Sequence, residues 1–196
     1  MNIVDVPVWG SGATTNPNRK TRSTTQTSRT ATGCPPGRTP TTAGVRALGI
    51  AESFRGDEST LAGAVVRASR VTDGFVFGTC TVGGTDATDA VRSLLDRLDR
   101  EDVRYVLLAG IAPAWFNLLD LPAIRESADR PVLSVTFEES PGLEPALREA
   151  FEGDALDERL AVYRRQPERR RLTVADERMF VRAVGCDGSE AADVED

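Results

Sequence analysis

The sequence predicts a single α/β domain built on a mixed sheet, in which three antiparallel strands come first and helices then alternate with strands. Three observations carry this. A Thr/Asp/Gly turn signal separates two alternating segments near residue 74. A strongly periodic apolar stripe runs from Ala87 to Leu98. Two continuous apolar runs, Val103 to Leu108 and Pro131 to Phe137, are separated by a helical segment, the pattern of buried parallel strands.

In chain order, Val45 to Ile50 is a short apolar strand, followed by a polar loop through Gly56 and Asp57. Leu61 to Ala68 and Phe75 to Val82 read as a hairpin turning at Thr72, Asp73 and Gly74. Ala87, Ala90, Val91, Leu94, Leu95 and Leu98 recur at helical spacing, with Asp86 at the capping position and Asp89 in the first turn. After the strand Val103 to Leu108, a helix spans Leu118 to Ser127 with Pro122 near its first turn. Leu143 to Phe151 and Ala155 to Arg165 are further short helices, and Arg171 to Val184 forms a closing strand pair. The order strand, strand, strand, helix, strand, helix, strand is that of the ribonuclease H-like α/β fold. The domain is expected over 44–186.

Met1 to Ala43 is a Thr/Ser/Pro/Arg-rich tail, and from Gly10 to Ala43 it has hardly any large apolar residue, a composition that predicts disorder. Its five cations (Arg19, Lys20, Arg22, Arg29 and Arg38) face only Asp5, so it carries +4 and leaves −10 for the remainder of a chain whose net charge is −6. It reads as a disordered leader, a start assigned too far upstream, or an arm for nucleic acid. The acidic end, 187–196, is expected to fray.

Lys20 is the only lysine, and so acidic and lysine-poor a chain fits a halophilic cell. There the Debye length falls to about 3 Å at 1 M salt and dense carboxylates repel little. Cys34, Cys80 and Cys186 show no CxxC spacing and the chain has no His, which predicts a reducing cytoplasm and no zinc site. No run approaches the roughly 18 apolar residues of a membrane span. Without His, mechanisms that need an imidazole base are excluded, as are the familiar Ser and Cys triads.

Three separated words, GIAES at Gly49 to Ser53, VGGTDAT at Val82 to Thr88 and GIAPAWFNLLD at Gly110 to Asp120, fall in this strand and helix order. Together they resemble the archaeal endonuclease dU family, relatives of endonuclease V, over roughly Val45 to Val184. The resemblance implies Mg²⁺- or Mn²⁺-dependent phosphodiester cleavage in modified or deaminated nucleic acid, with Glu52 and Asp86 catalytic and Glu52, Asp86 and Asp120 on the metal. The residues themselves offer substrate contacts: Trp115 and Phe116 by stacking on an unpaired base, Asn117 by hydrogen bonding, and Arg169 and Arg170 of the basic stretch on phosphate. The sequence departs from the family pattern where GIDD and VDGTDAT are expected. Ala51 and Gly83 stand where the pattern has Asp, and Ala109 and Gly110 end the fourth strand without an acid.

Strand alternation places Ala51 and Glu52 on opposite faces, so Glu52 does not stand in for an acid at 51 unless a bulge intervenes. Asp86 and Asp120 also fit as helix caps, Trp115 and Phe116 as loop anchors, Asn117 as a brace for its own loop, and the Arg164 to Arg171 stretch as a solvated linker. Those assignments support a second reading, a catalytically degenerate domain that binds nucleic acid or protein. The oligomeric state is not readable from the sequence.

Overall fold

The computed structural model describes residues 45–174 and 176–186; the tail and acidic end expected at 1–43 and 187–196 lie outside the described residues. One seven-stranded sheet has the order β3-β2-β1-β4-β5-β7-β6. Its strands are β1 (Arg46–Arg55), β2 (Glu58–Arg67), β3 (Thr72–Thr81), β4 (Val103–Ala109), β5 (Val132–Thr136), β6 (Arg170–Val174) and β7 (Glu177–Val184). The helices are α1 (Ala87–Leu98), the short turn α2 (Pro113–Phe116), α3 (Leu121–Ala128), α4 (Glu144–Ala150) and α5 (Gly153–Arg164). β1, β2 and β3 pair antiparallel, β4 joins β1 in parallel, β5 joins β4 in parallel, and β7 returns antiparallel to β5. This is the ribonuclease H-like arrangement, a mixed sheet with helices following the hairpin strands.

The main core lies on one face of the sheet. Leu48 and Ile50 of β1, Leu61 and Val65 of β2, and Val106 and Leu108 of β4 meet Val91 and Leu94 of α1 and Leu121 and Ile124 of α3. On the opposite face Leu133, Met179 and Val181 gather with Tyr105 and Leu107. A third cluster, Leu118, Leu147 and Leu160 with Phe116 and Phe151, joins α4 and α5 to the loop around α2.

Three boundaries differ from the sequence expectation, each for a local reason. β1 continues through GIAES to Arg55, and Gly56–Asp57 is a two-residue hairpin turn in place of a long loop, so β2 begins at Glu58. The second turn falls at residues 68–71, with Arg70 at φ 64°, and Asp73 is drawn into β3. There its carboxylate accepts from Arg46 Nε at 2.5 Å, Arg67 Nη2 at 2.7 Å and Arg100 Nη2 at 3.1 Å. α3 starts at Leu121, because Asp120 caps it and Pro122 occupies its first turn.

β3 is an edge strand, and several of its outward backbone groups are taken by side chains. Arg97 donates to Phe77 O at 2.7 Å and Arg100 to Asp73 O at 3.1 Å. The last residue, Thr81, gives its N–H to Asp86 and its carbonyl to Asn117.

Gly63 leaves room on β2 for side chains of the two strands beside it, Val76 of β3 and Leu48 of β1. A Cβ there would sit 2.8 Å from Val76 Cγ1 and 3.1 Å from Leu48 Cδ1. Gly63→Ala is expected to cost about 1–3 kcal/mol in urea unfolding, and adding Val76→Ala to return part of that loss; strict additivity of the two would refute a steric origin. The arginines around Asp73, with those on Arg67 and Arg46 foremost, hold its carboxyl far below the usual range. Its contribution to stability is therefore complete above the ordinary carboxylate value of about 4 and is lost as pH falls below it. Asp73→Asn is expected to flatten that acid limb of a stability–pH curve.

Candidate functional site

The site forms where β1 and β3 end and α1 begins. Glu52 follows Leu48 and Ile50 on the α1 face of β1, and the β1–β2 register runs without a bulge from Arg46 to Arg55, so Ala51 projects from the other face. The Asp missing at 51 is thus absent from the face opposite to Glu52. Beneath Glu52 on β2 is Ser59, wholly buried, whose Oγ donates to Glu52 Oε2 at 2.5 Å. Cys80, across from Ser59 on β3, completes the floor.

Asp86 occupies the capping position of α1 but its side chain does not cap the helix. Its carboxylate turns back to β3, where it accepts from Thr81 N at 3.1 Å, Thr81 Oγ1 at 2.9 Å and Asn117 Nδ2 at 2.6 Å. The capping is done from a distance: Asn117 Oδ1 accepts from Ala87 N at 2.9 Å, while its amide also donates to Thr81 O at 2.8 Å. Burial pushes the Asp86 carboxyl upward, but the donors on Asn117 and Thr81 outweigh it and hold the group below its ordinary range. Glu52 and Asp86 flank Cys80. Burial, with the nearby charges of Asp86 and Glu52, pushes that thiol up to about 11, so it stays protonated at neutral pH.

Asp120 is engaged elsewhere. It caps α3 through Ala123 N at 3.3 Å and pairs with Arg165 at 2.6 Å. Among the described residues no three His, Cys, Asp or Glu side chains converge as a metal cage. Glu52 and Asp86 are two hard oxygen donors, the class that Mg²⁺ and Mn²⁺ accept when substrate phosphate and water fill the remaining positions. That donor set fits such a cation as a two-carboxylate site.

The aromatic loop lies over the Gly83–Gly84 segment. Ala114, Trp115 and Phe116 take φ of 46°, 55° and 62°, a left-handed turn of three residues that all carry a side chain. Gly83 N donates to Ala114 O at 2.7 Å, and a Cβ on Gly83 would meet Trp115 Cε3 at 2.9 Å. With Trp115 in this position the Asp of the family pattern does not fit at 83. Phe116 is half-buried against Phe151, and Asn117 is wholly buried. Trp115 remains 53% exposed.

Arg159, which the sequence did not single out, ties these loops together. It is almost fully buried and carries its guanidinium 3.9 Å over the Phe151 ring. Its donors go to the carbonyls of Gly83 at 2.6 Å, Gly84 at 3.1 Å and Phe116 at 3.3 Å. An arginine among Asp157, Glu158 and other polar residues on a helix gives no sequence signal of such a role. Ser59 was equally silent, one hydroxyl in a strand of small residues.

Of the basic stretch, Arg169 is committed to the fold. It stacks on Phe180 at 4.2 Å and donates to Thr136 Oγ1 at 2.8 Å and to the Glu138 carbonyl. Arg170 is exposed on β6.

The sequence pattern of the family described as endonuclease dU matches residues 43–196. The chain belongs to the endonuclease dU family. A UPF0215 protein of Thermococcus kodakarensis is 31% identical over 147 residues, covering 74% of this chain and 73% of its own. A UPF0215 protein of Pyrobaculum calidifontis is 36% identical over 107 residues, and the match spans 53% of this chain and 59% of that relative. An Archaeoglobus fulgidus protein of unknown function superposes with a TM-score of 0.67 at 25% identity, over 76% of this chain and 83% of its own. Endonuclease V of Ciona intestinalis, solved with an inosine-containing DNA, superposes with a TM-score of 0.46 at 10% identity, over 76% of this chain and 75% of its own. No described helix is long and apolar enough to cross a membrane.

Asn117 is the residue on which the site's geometry turns. Asn117→Ala is expected to cost about 2–4 kcal/mol, since it strips a helix cap and leaves buried polar groups unpaired. Asn117→Asp would set a second carboxylate beside Asp86. The pair would then bind a proton more tightly when folded, so this variant should gain stability as pH falls from 7 toward 4, while the contribution of the native Asp86, held below its ordinary range, stays level there and is lost only at lower pH. Urea unfolding at both pH values reads the two slopes, and parallel slopes would refute the arrangement.

Proposed function

We propose that this endonuclease dU protein is a divalent-metal-dependent nuclease acting on modified or deaminated nucleic acid, with Glu52 and Asp86 as its metal-holding carboxylates. The observation that carries this reading is their shared position around Cys80 on the α1 face. A divalent cation held there supplies an activated water and neutralises charge on the scissile phosphate. The chain's own part is to aim both acids and to keep Asp86 charged. Ser59 orients Glu52 from below, and Thr81 with Asn117 holds Asp86 ionised. We assign Asp120 to the α3 cap, and we place the protein in a reducing, salt-rich cytoplasm, in keeping with the free thiol of Cys80.

A second reading, a noncatalytic nucleic-acid- or protein-binding domain, is favoured by one observation: both oxygens of Asp86 are already engaged by Thr81 and Asn117.

Titration calorimetry with Mg²⁺ and Mn²⁺ in high KCl, paired with cleavage of inosine- and uracil-containing DNA and RNA oligomers, separates the two. Saturable binding and cleavage are expected, with Glu52→Gln and Asp86→Asn each slowing cleavage by about 10²-fold or more and the exposed Asp89→Asn having no effect. Absence of metal binding in the native protein, with no cleavage, would leave the noncatalytic reading.

A further inference from the structure

Two exposed large apolar side chains stand near the Glu52–Asp86 pair: Phe54, two residues beyond Glu52 on β1, and Trp115, which sits on the Asp86 side. Trp115 lies on Gly83, three residues before Asp86, and its second neighbour along the chain, Asn117, bonds Asp86 directly. The three residues the sequence grouped here separate in the structure. Asn117 is wholly buried in the α1 cap, Phe116 is packed into the α4–α5 cluster, and Trp115 is left facing outward.

Presenting it is costly. A left-handed conformation costs an L-residue about 1–2 kcal/mol, and Ala114, Trp115 and Phe116 adopt it in succession. Such strain persists only where surrounding contacts impose it. Gly83 N holds Ala114 O, Asn117 N holds Pro113 O, and Arg159 holds Phe116 O. Burying an aromatic anchor does not explain the arrangement, because the middle residue is the one not buried.

The ring is also fixed in place. Phe151 stands 5.3 Å and Phe116 5.7 Å away, Gly83 backs it with no room for a Cβ, and Arg159 rests on Phe151 beneath. A rigid, half-exposed indole loses little freedom when a flat partner stacks on it. We propose that Trp115 is a stacking platform for one unpaired nucleobase of a nucleic-acid strand whose phosphodiester lies at the acidic pair. This deepens the nuclease reading and rests on it for the choice of ligand. Phe116 and Asn117 act as positioning residues for the platform and do not meet the base.

The chain has two tryptophans, Trp9 and Trp115, so a Trp9→Phe background makes Trp115 the sole indole. The full chain is titrated in Ca²⁺ with a single-stranded thymidine 10-mer and with an abasic 10-mer of the same backbone. The thymidine oligomer is expected to quench Trp115 emission and the abasic one to bind more weakly without quenching. Trp115→Ala, followed by anisotropy of a labelled oligomer, is expected to weaken binding about 5- to 100-fold, as for loss of one stacked base. Trp115→Phe should retain most of the affinity, which guards against a folding artefact. No oligomer binding, equal quenching by the abasic strand, or Trp115→Ala affinity within twofold of native would overturn the proposal. So would an emission shift that follows protein concentration alone, which would make Trp115 a contact between copies. Cleavage in Mg²⁺ is scored separately: quenching without cleavage sinks the nuclease reading alone, and cleavage that survives Trp115→Ala sinks the platform alone.

Discussion

The amide of Asn117 is the interaction on which the rest of the site depends. One side chain satisfies the first free N–H of α1, the last outward carbonyl of β3 and an oxygen of Asp86. Because these groups belong to β3 and to the start of α1, and Asn117 itself follows the left-handed turn, the end of the edge strand, the start of the helix and the turn are fixed relative to one another. A wholly buried amide with all its partners satisfied specifies geometry more tightly than apolar packing does. The usual division of labour at a helix start is inverted as a result. Asn117 does the capping, and Asp86, freed from it, presents its charge toward β3 and Cys80.

Arg159 does for the loops what Asn117 does for the elements. Its cation is held by carbonyl dipoles and an aromatic face, with burial lowering its affinity for the proton. Its donors are spent on carbonyls of the Gly83–Gly84 segment and of Phe116, so it braces the loops without pairing with either acid of the site.

Much of the fold was legible because its signals are periodic. The stripe from Ala87 to Leu98 and the apolar runs of β4 and β5 are set by burial alone, and the structure follows them. The Thr72–Gly74 turn signal misled because a turn propensity of under a kilocalorie or so competes with three guanidinium groups converging on Asp73, a contact that local sequence does not encode. The site was legible in its acids and opaque in its supports. Glu52 and Asp86 stand in recognisable words, whereas Ser59, Arg159 and the remote cap from Asn117 act across 7 to 76 residues of chain. Gly83 was read as a lost acid, and it is also the space in which the Trp115 ring rests.

The side chains along β3 bear on how this protein keeps to itself. Phe75 and Phe77 are 65% and 61% exposed on a ten-residue border strand, the makings of a template for fibrils. Yet Arg97 and Arg100 hold outward carbonyls of that border, and Thr81 spends both of its groups on the α1 knot. An incoming strand would have to evict two guanidinium groups and unpick the Asn117 cap before it gained a ladder of its own. The same contacts that shape the site thus act as a selvedge, letting the molecule carry bare aromatic rings on its border without unravelling into cross-β growth.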